Sequence, residues 1–185
     1  METFLLQDLQ TLETKRLILR KLRKDDIQDM FEYGSNDEVT KYVSWYTYQS
    51  ITDAQLFLDH ILQQYEDGSG AFWGIEDKET NKLIGTIDFV AWNRKHRKAE
   101  IGYILSQDYW GKGLMTEAAQ AVIQFGFEKM NLVRIEARCL LENIGSEKVM
   151  QKAGMQYEGT LRKSMLLKEK HRDIKLYSIL KDDIL

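Results

Sequence analysis

Two glycines flank a lysine at Gly111-Lys112-Gly113, and a helix-periodic apolar segment opens immediately behind them. Glycine lets the backbone turn tightly and approach a ligand with no Cβ in the way. The helix that should follow begins with N–H groups that have no intrahelical acceptor, at the positive end of its dipole. Together these suit an anion that carries phosphates. A P-loop needs four residues between its glycines and a Lys-Ser or Lys-Thr after the second, and here Leu114 follows Gly113, so that form is excluded. A dinucleotide fingerprint needs a third glycine where Thr116 stands, although Glu136 lies about twenty residues on, where that motif wants an acid. A tight turn that binds nothing is the third reading.

A second polar run, Asn143-Ile144-Gly145-Ser146, precedes another short helical segment. Taken alone, Ser146 reads as a helix N-cap and Asn143 as a turn residue. Lys148 and Lys152 share a helix face, as a solvated pair or as partners for a phosphate. Cys139 alternates with Ile135 and Ala137, as a packed strand residue would. An acyl-cysteine route would need a partner base, and His60, His96 and His171 have no evident connection to it. Glu136 reads as one half of a cross-strand ion pair.

These residues need a scaffold, and the composition supplies an ordinary globular one. The chain has 185 residues, 43% hydrophobic and 30% charged, enough for one domain spanning residues 1–185. A net charge of −3 without a basic stripe argues against nucleic-acid binding. The single cysteine excludes an internal disulfide framework and a thiolate zinc cluster, and no metal is expected. No apolar run has membrane length and the start lacks a signal-peptide pattern, so the expected location is cytoplasmic, without a membrane partner. A monomer or a homodimer is expected.

Periodicity predicts a strand at residues 16–20, a short helix carrying Ile27, Met30 and Phe31, and a helix over about 52–65. Residues 1–13 read as a loosely ordered leader and residues 34–51 as irregular. Strands follow at 72–76 and 83–90, a hairpin joined by the polar turn Asp77-Lys78-Glu79-Thr80-Asn81, and at 99–105. A helix over about 114–129 buries Leu114, Ala118, Ala121, Val122 and Phe125, and a strand at 133–140 completes a crossover unit. A helix at 146–153 stops at Gly154, and strands at 156–161 and 174–180 close the sheet. The fold class is α/β (α+β): a mostly antiparallel sheet of six or seven strands with one parallel crossover pair and helices on both faces.

Five runs share a further property. Thr14-Lys15-Arg16-Leu17-Ile18-Leu19-Arg20, Ala99-Glu100-Ile101-Gly102-Tyr103, Tyr109 to Gly113 with Thr116-Glu117-Ala118, Arg134-Ile135-Glu136-Ala137, and Asn143 to Gly154 occur in order and at matching spacing. In this the chain resembles the GNAT acyl-CoA transferases, and within them the Rim-type ribosomal-protein N-terminal acetyltransferases. Their pyrophosphate motif, Gln/Arg-x-x-Gly-x-Gly/Ala, corresponds to Trp110 through Met115. Trp110 and Met115 depart from it at its two ends, and the backbone donors between them remain. The resemblance implies acetyl-CoA as cosubstrate, held by Trp110, Gly111, Lys112, Gly113, Leu114, Met115 and Thr116. It also implies a parallel pair that splays at the acyl-CoA site, with backbone groups of Ile104, Leu105 and Ser106 on the pantetheine arm.

Many GNAT enzymes carry a tyrosine acid seven residues after the Asn, and that position is Met150, whose thioether cannot donate a proton. The resemblance gives Ser146 a place beside the coenzyme sulfur, with Asn143 as a coenzyme contact. Acetyl transfer to an amine also needs proton removal. Glu100, on the splaying strand with Gly102 beside it, is the expected base, unless Glu100 or Asp88 holds a water that serves. Trp45, Tyr46, Tyr48, Trp73, Trp92 and Tyr103, with Asp88, are expected to line the amine pocket, since aromatic faces near a carboxylate hold cations. The expected reaction is direct acetyl transfer to a primary amine in a ternary complex, first of all a protein N-terminal α-amine. The alternatives are a small-molecule amine acetyltransferase and a non-catalytic acyl-CoA sensor.

Overall fold

The computed structural model describes residues 9–184. One sheet contains β1 (Leu12–Glu13), β2 (Leu17–Arg20), β3 (Phe72–Asp77), β4 (Leu83–Asn93), β5 (Lys98–Leu105), β6 (Arg134–Leu140), β7 (Gln156–Leu167) and β8 (Lys170–Leu180). Its spatial order is β1-β2-β3-β4-β5-β6-β8-β7, and only β5 and β6 run parallel. The α-helices are α1 (Ile27–Gly34), α2 (Asp37–Thr40), α3 (Ile51–Asp67), α4 (Leu114–Glu128) and α5 (Ile144–Lys152).

The expected mixed sheet forms, with one strand more than the sequence suggested. That strand is β1, inside the segment read as a loose leader. Leu9 is buried, Leu12 pairs with Leu19, and the Trp73 indole donates to the Gln10 carbonyl at 2.8 Å. Residues 1–8 of the expected leader lie outside the described residues. Residues 37–40, read as irregular, form α2, capped by the Asn36 side chain, which accepts the Glu38 N–H at 2.9 Å. Four residues are too few for periodicity to register. Strands β7 and β8 are longer than expected because β7 is exposed along most of its length, so no apolar alternation marks it.

Alternation along the strands sorts the layers. Ala99, Ile101 and Leu105 of β5, with Ile135 and Ala137 of β6, join the main core beneath Leu114, Ala118, Val122 and Phe125 of α4 and Met150 of α5. On the opposite face α1 and α3 bury Met30, Leu58 and Ile61 against Leu22, Leu83 and Ile104. Farther along that face Lys98, Glu100, Arg134, Glu136 and Arg138 form an ion-pair lattice.

The site is created where the parallel pair stops. Lys98–Glu100 pair with Arg134–Glu136, whereas β5 continues beside β4 to Leu105 and β6 beside β8 to Leu140. Beyond Glu100 the two strands part into a wedge. Sheet twist separates neighbours, and the bulge between Phe89 and Ala91 adds local twist to β4. The Ser106 N–H donates to the Ile84 carbonyl at 2.7 Å, which fixes the phase of the β4–β5 ladder. By alternation Ile104 and Ser106 turn their backbone groups to β4, and Tyr103 and Leu105 turn theirs into the wedge.

Candidate functional site

A cavity of about 490 Å³ opens at the wedge. Ile104, Leu105, Trp110, Gly111, Gly113, Leu114, Met115, Thr116, Asn143 and Ser146 all line it, as do Tyr103, Lys148 and Lys152. Ser106 and Lys112 do not. They line a second cleft of about 340 Å³ on the far side of the turn. Both backbone groups of Ser106 are already used, by Ile84 and by the Tyr109 N–H, and the Lys112 ammonium lies over the Tyr109 ring. The backbone groups free to meet a ligand along β5 are therefore those of Tyr103 and the Leu105 N–H. The Leu105 carbonyl accepts the Trp110 indole N–H at 2.8 Å.

Gly111 and Gly113 adopt φ of 73° and 76°, the left-handed region where a side chain is strained. A Cβ on Gly111 would meet nothing within 4 Å, so that flank of the turn is open. Gly113 is the N-cap of α4 and offers no side chain, while the Glu117 N–H closes the first helical bond onto the Gly113 carbonyl at 3.1 Å. The N–H groups of Leu114, Met115 and Thr116 thus lack helical acceptors, and all three residues line the cavity.

The turn is braced by residues whose role the sequence did not reveal. Arg16 donates to the Lys112 carbonyl at 2.8 Å and forks onto Glu117, with Nε and Nη2 each 2.7 Å from Oε2. The Thr14 hydroxyl adds a bond to Glu117 Oε1 at 2.7 Å. These bonds hold the Glu117 carboxyl below its ordinary range although its partial burial pushes the other way. Glu38, Val39, Tyr42 and Val43, from α2 and the segment after it, form a further wall of the cavity.

Opposite the turn, Asn143 rather than Ser146 caps α5, accepting the Ser146 N–H at 3.1 Å. This leaves the Ser146 hydroxyl free to meet the Tyr103 hydroxyl at 2.9 Å. Burial raises the Tyr103 phenol above its ordinary range, which keeps its proton in place. Met150, at the position where many family members carry a tyrosine acid, is 1% exposed and packs in the main core.

The expected amine pocket divides. Trp73 is completely buried between Phe89 and Phe125 and is core. Trp92 pairs with Ala99 at the far end of β5, away from the wedge, with Arg94 over its ring. Trp45 stacks on buried Tyr48 at 4.8 Å, and Tyr46 is exposed under Lys168. Tyr103 lines the cavity instead.

Glu100 and Asp88 share the opposite face. Glu100 Oε2 lies 3.2 Å from Arg138 Nε. Burial raises its carboxyl, Arg138 and Lys98 lower it, and Glu136 raises it, with a net upward shift. Glu136 itself is held by Arg134 and Lys98 at 2.7 and 3.2 Å on the face away from the cavity, so it cannot serve as a ribose-binding acid. Cys139 is buried core, its thiol pushed up to about 11 by burial.

Residues 16–156 match the Acetyltransferase (GNAT) domain family. The chain belongs to the GNAT acetyltransferases. Over 170 residues this acetyltransferase is 39% identical to the uncharacterized N-acetyltransferase YoaA of Bacillus subtilis (strain 168), covering 92% of this chain and 96% of that one. It is 28% identical to the spermidine N(1)-acetyltransferase of Escherichia coli (strain K12), over 84% of this chain and 81% of that one. Its fold matches that of RimL, a ribosomal alpha-N-protein acetyltransferase solved in complex with coenzyme A, with a TM-score of 0.82, 18% identity, and coverage of 94% and 99%.

The acetyltransferase uses acetyl-CoA, and its cavity fits that ligand on its own terms. Three uncapped N–H groups, an open glycine flank and the lysines Lys148 and Lys152 suit a pyrophosphate, and the wedge exposes the β5 edge for an extended arm. Among the described residues no group of three or more His, Cys, Asp or Glu is placed to hold a metal ion, and no helix is long and apolar enough to cross a membrane.

Proposed function

We propose that the acceptor is the α-amine of a protein N-terminus, of the Rim type, and that the acetyl group passes to it directly within a ternary complex. The observation that carries this reading is the two-sidedness of β5. One side meets the cavity through Tyr103. The other, over β5 and β6, carries Lys98, Glu100, Glu136 and Arg138, with the Lys98 and Arg138 side chains partly exposed, charges that suit the polar end of an extended peptide. RimL, similar in fold, acts by its name on a ribosomal α-N-protein, which supports the reading. An α-amine, with an ordinary pKa near 8 against about 10.4 for lysine, is also the easier amine to deprotonate.

Acetyl-CoA, when bound, supplies an activated acetyl thioester. The α4 N–H groups bind and orient its pyrophosphate, with Asn143 lining the opposite wall. The backbone edge of Tyr103 and Leu105 aligns the arm. Glu100, held by Arg138, attracts the incoming ammonium. The Tyr103 hydroxyl, paired with Ser146, holds a proton beside the leaving sulfur, the service Met150 cannot give. That pair also removes the motive for a non-catalytic sensor.

The runner-up acceptor is a small polyamine, favoured by the two carboxylates Asp88 and Glu100 on one face and by the name of the relative called a spermidine N(1)-acetyltransferase. Thiol release from acetyl-CoA, followed against peptides with varied first residues and against polyamines, separates the two. Turnover on peptides, with the acetyl group mapped to the α-amine by mass spectrometry, is expected. Turnover confined to polyamines would replace the N-terminal reading.

A further inference from the structure

Asp88 is an exception among the buried carboxylates. Asp26 is bonded by Arg20, Asp77 by Thr80 and Glu136 by Arg134. Asp88 is 6% exposed, and no hydrogen bond or ion pair reaches its carboxylate among the described residues. A buried carboxylate is costly unless it is paired. It is not sealed, however: the one described side-chain atom both closed to solvent and unpaired is Gln64 Oε1.

Its position gives the missing partner a direction. Asp88 stands opposite Gly102 in the β4–β5 ladder, and a Cβ on Gly102 would lie 3.6 Å from Asp88 Oδ1. The nearest atom to that Cβ is Val90 Cγ1 at 2.7 Å, so Val90 and the Asp88 carboxylate together cover the space that Gly102 leaves. One step along the same face, Ile104 lines the coenzyme cavity. Two residues the other way, Glu100 pairs with Ala91 beyond the bulge and is already held by Arg138. Neither carboxylate lines the cavity, but in the β4–β5 register Asp88 stands one same-face step from Ile104 and Glu100 stands two, and Asp88 has no ion-pair partner among the described residues. Tyr103, the next residue of β5, presents its hydroxyl to Ser146 on the opposite face.

We propose that Asp88 is the catalytic residue that takes the proton from the acceptor amine, and that Glu100 and Arg138 form a positioning pair for the incoming ammonium. This rests on the acetyl-transfer reading above and is independent of the acceptor class. One N–H bond of the ammonium breaks, its proton goes to an Asp88 oxygen, and the electron pair stays on nitrogen. That pair forms the C–N bond as the C–S bond breaks. The thiolate takes a proton from the Tyr103–Ser146 pair, the second nitrogen proton passes through solvent to the oxyanion left on that pair and restores it, and Asp88 returns its own proton to solvent. Burial pushes the Asp88 carboxyl up to about 8, which suits a base working near neutral pH. The titratable groups around it are Glu100 of β5 and Tyr65 of α3. The Tyr65 hydroxyl is occupied by the Phe72 carbonyl and the Leu22 N–H, and Lys21 lies over its ring.

The test pairs a rate profile with a titration that needs no acceptor. In the free enzyme, carboxyl carbons of isotopically labelled aspartate are followed by NMR across pH 4–10, for the parent and for Asp88→Asn. One carboxyl titrating near 8 and lost in the variant is expected. All aspartates titrating below about 5 would overturn the assignment. The pH profile of kcat/KM is then measured on whichever amine turns over, for the parent, Asp88→Asn, Asp88→Glu and Glu100→Gln. Asp88→Asn should lower kcat/KM by about 10²- to 10⁴-fold and erase the acidic limb, with coenzyme affinity kept. Asp88→Glu should restore part of the rate, and Glu100→Gln should raise KM while the limb persists. Loss of the limb in Glu100→Gln alone returns the role to Glu100. An inactive peptide panel beside active polyamines would correct the acceptor and leave the role of Asp88 intact.

Discussion

The hydroxyl of Tyr103 and the Oγ of Ser146 lie 2.9 Å apart, joining β5 to the first turn of α5 at the gap where β5 and β6 part. Neither residue type is unusual. Asn143 makes the contact available by capping α5, so that Ser146 is not consumed as a cap. In the proposed mechanism the proton donor thus comes from the strand on one side of the wedge, while the helix on the other side keeps Met150 as core.

Tyr103→Phe removes the donor and keeps the ring. A fall in kcat of about 10²-fold is expected, with coenzyme affinity within about twofold of the parent. Ser146→Ala, which leaves the phenol in place, should cost less, about tenfold. Calorimetric coenzyme titration beside steady-state kinetics reads both. Unchanged kcat in Tyr103→Phe would remove it from the mechanism.

Gly111→Val and Gly113→Val should weaken coenzyme binding with the fold largely kept. Space is not the obstacle, since a Cβ would meet nothing within 4 Å at Gly111 and only Arg16 at 3.7 Å at Gly113. The obstacle is the left-handed φ, which costs a side chain about 1–2 kcal/mol and is worst for a β-branched one. Relaxing it would turn the N–H groups off their target. An unchanged dissociation constant would show that the turn is not the phosphate cradle.

Arg16→Ala should mimic a mild version of that defect from outside the cavity. Its guanidinium is partly exposed, so the ion pair itself contributes little to stability. Its loss frees the Lys112 carbonyl and unpins Glu117. Coenzyme affinity should fall about three- to tenfold and the thermal midpoint by only a few degrees. A large drop in the midpoint with unchanged affinity would make Arg16 purely structural.

The Asp88 carboxyl also makes stability depend on pH. Its folded-state pKa of about 8 stands above its ordinary value of 3.8, so between those pH values the folded chain binds a proton that the unfolded chain releases. Stability must therefore fall as pH rises through that window, and the penalty is fully present above it. Asp88→Asn removes the penalty. Its thermal midpoint should match the parent near pH 4 and exceed it by at least about 2–4 °C at pH 9, a gain of at least about 1 kcal/mol. A constant difference across pH would contradict a raised carboxyl.

Much of the scaffold is legible in the chain. The helices α3 and α4 carry long apolar stripes, β2 to β6 alternate or run apolar, and the crossover between β5 and β6 follows from strand, helix and strand in order. The pieces that escape are short or exposed. Two residues of β1 and four of α2 cannot show a period, and β7 is exposed along most of its length, so no apolar alternation marks it. In the site, Gly111 to Thr116 and Asn143 to Ser146 are visible because turn chemistry and helix starts are local.

What the sequence determined by itself is the glycine turn proposed as the phosphate end: glycines at fixed spacing and a helix start are properties of neighbouring residues. What only the tertiary structure decided is the reacting end. Tyr103 and Ser146 are 43 residues apart, Arg16 and Glu117 are 101 apart, and Asp88 meets Gly102 through the register of two strands. Whether Trp73 is core, whether Glu100 is already paired and whether Asp88 lacks a partner depend on which surfaces the folded chain brings together. Burial and ion pairing are set by those long-range contacts, and no local pattern records them.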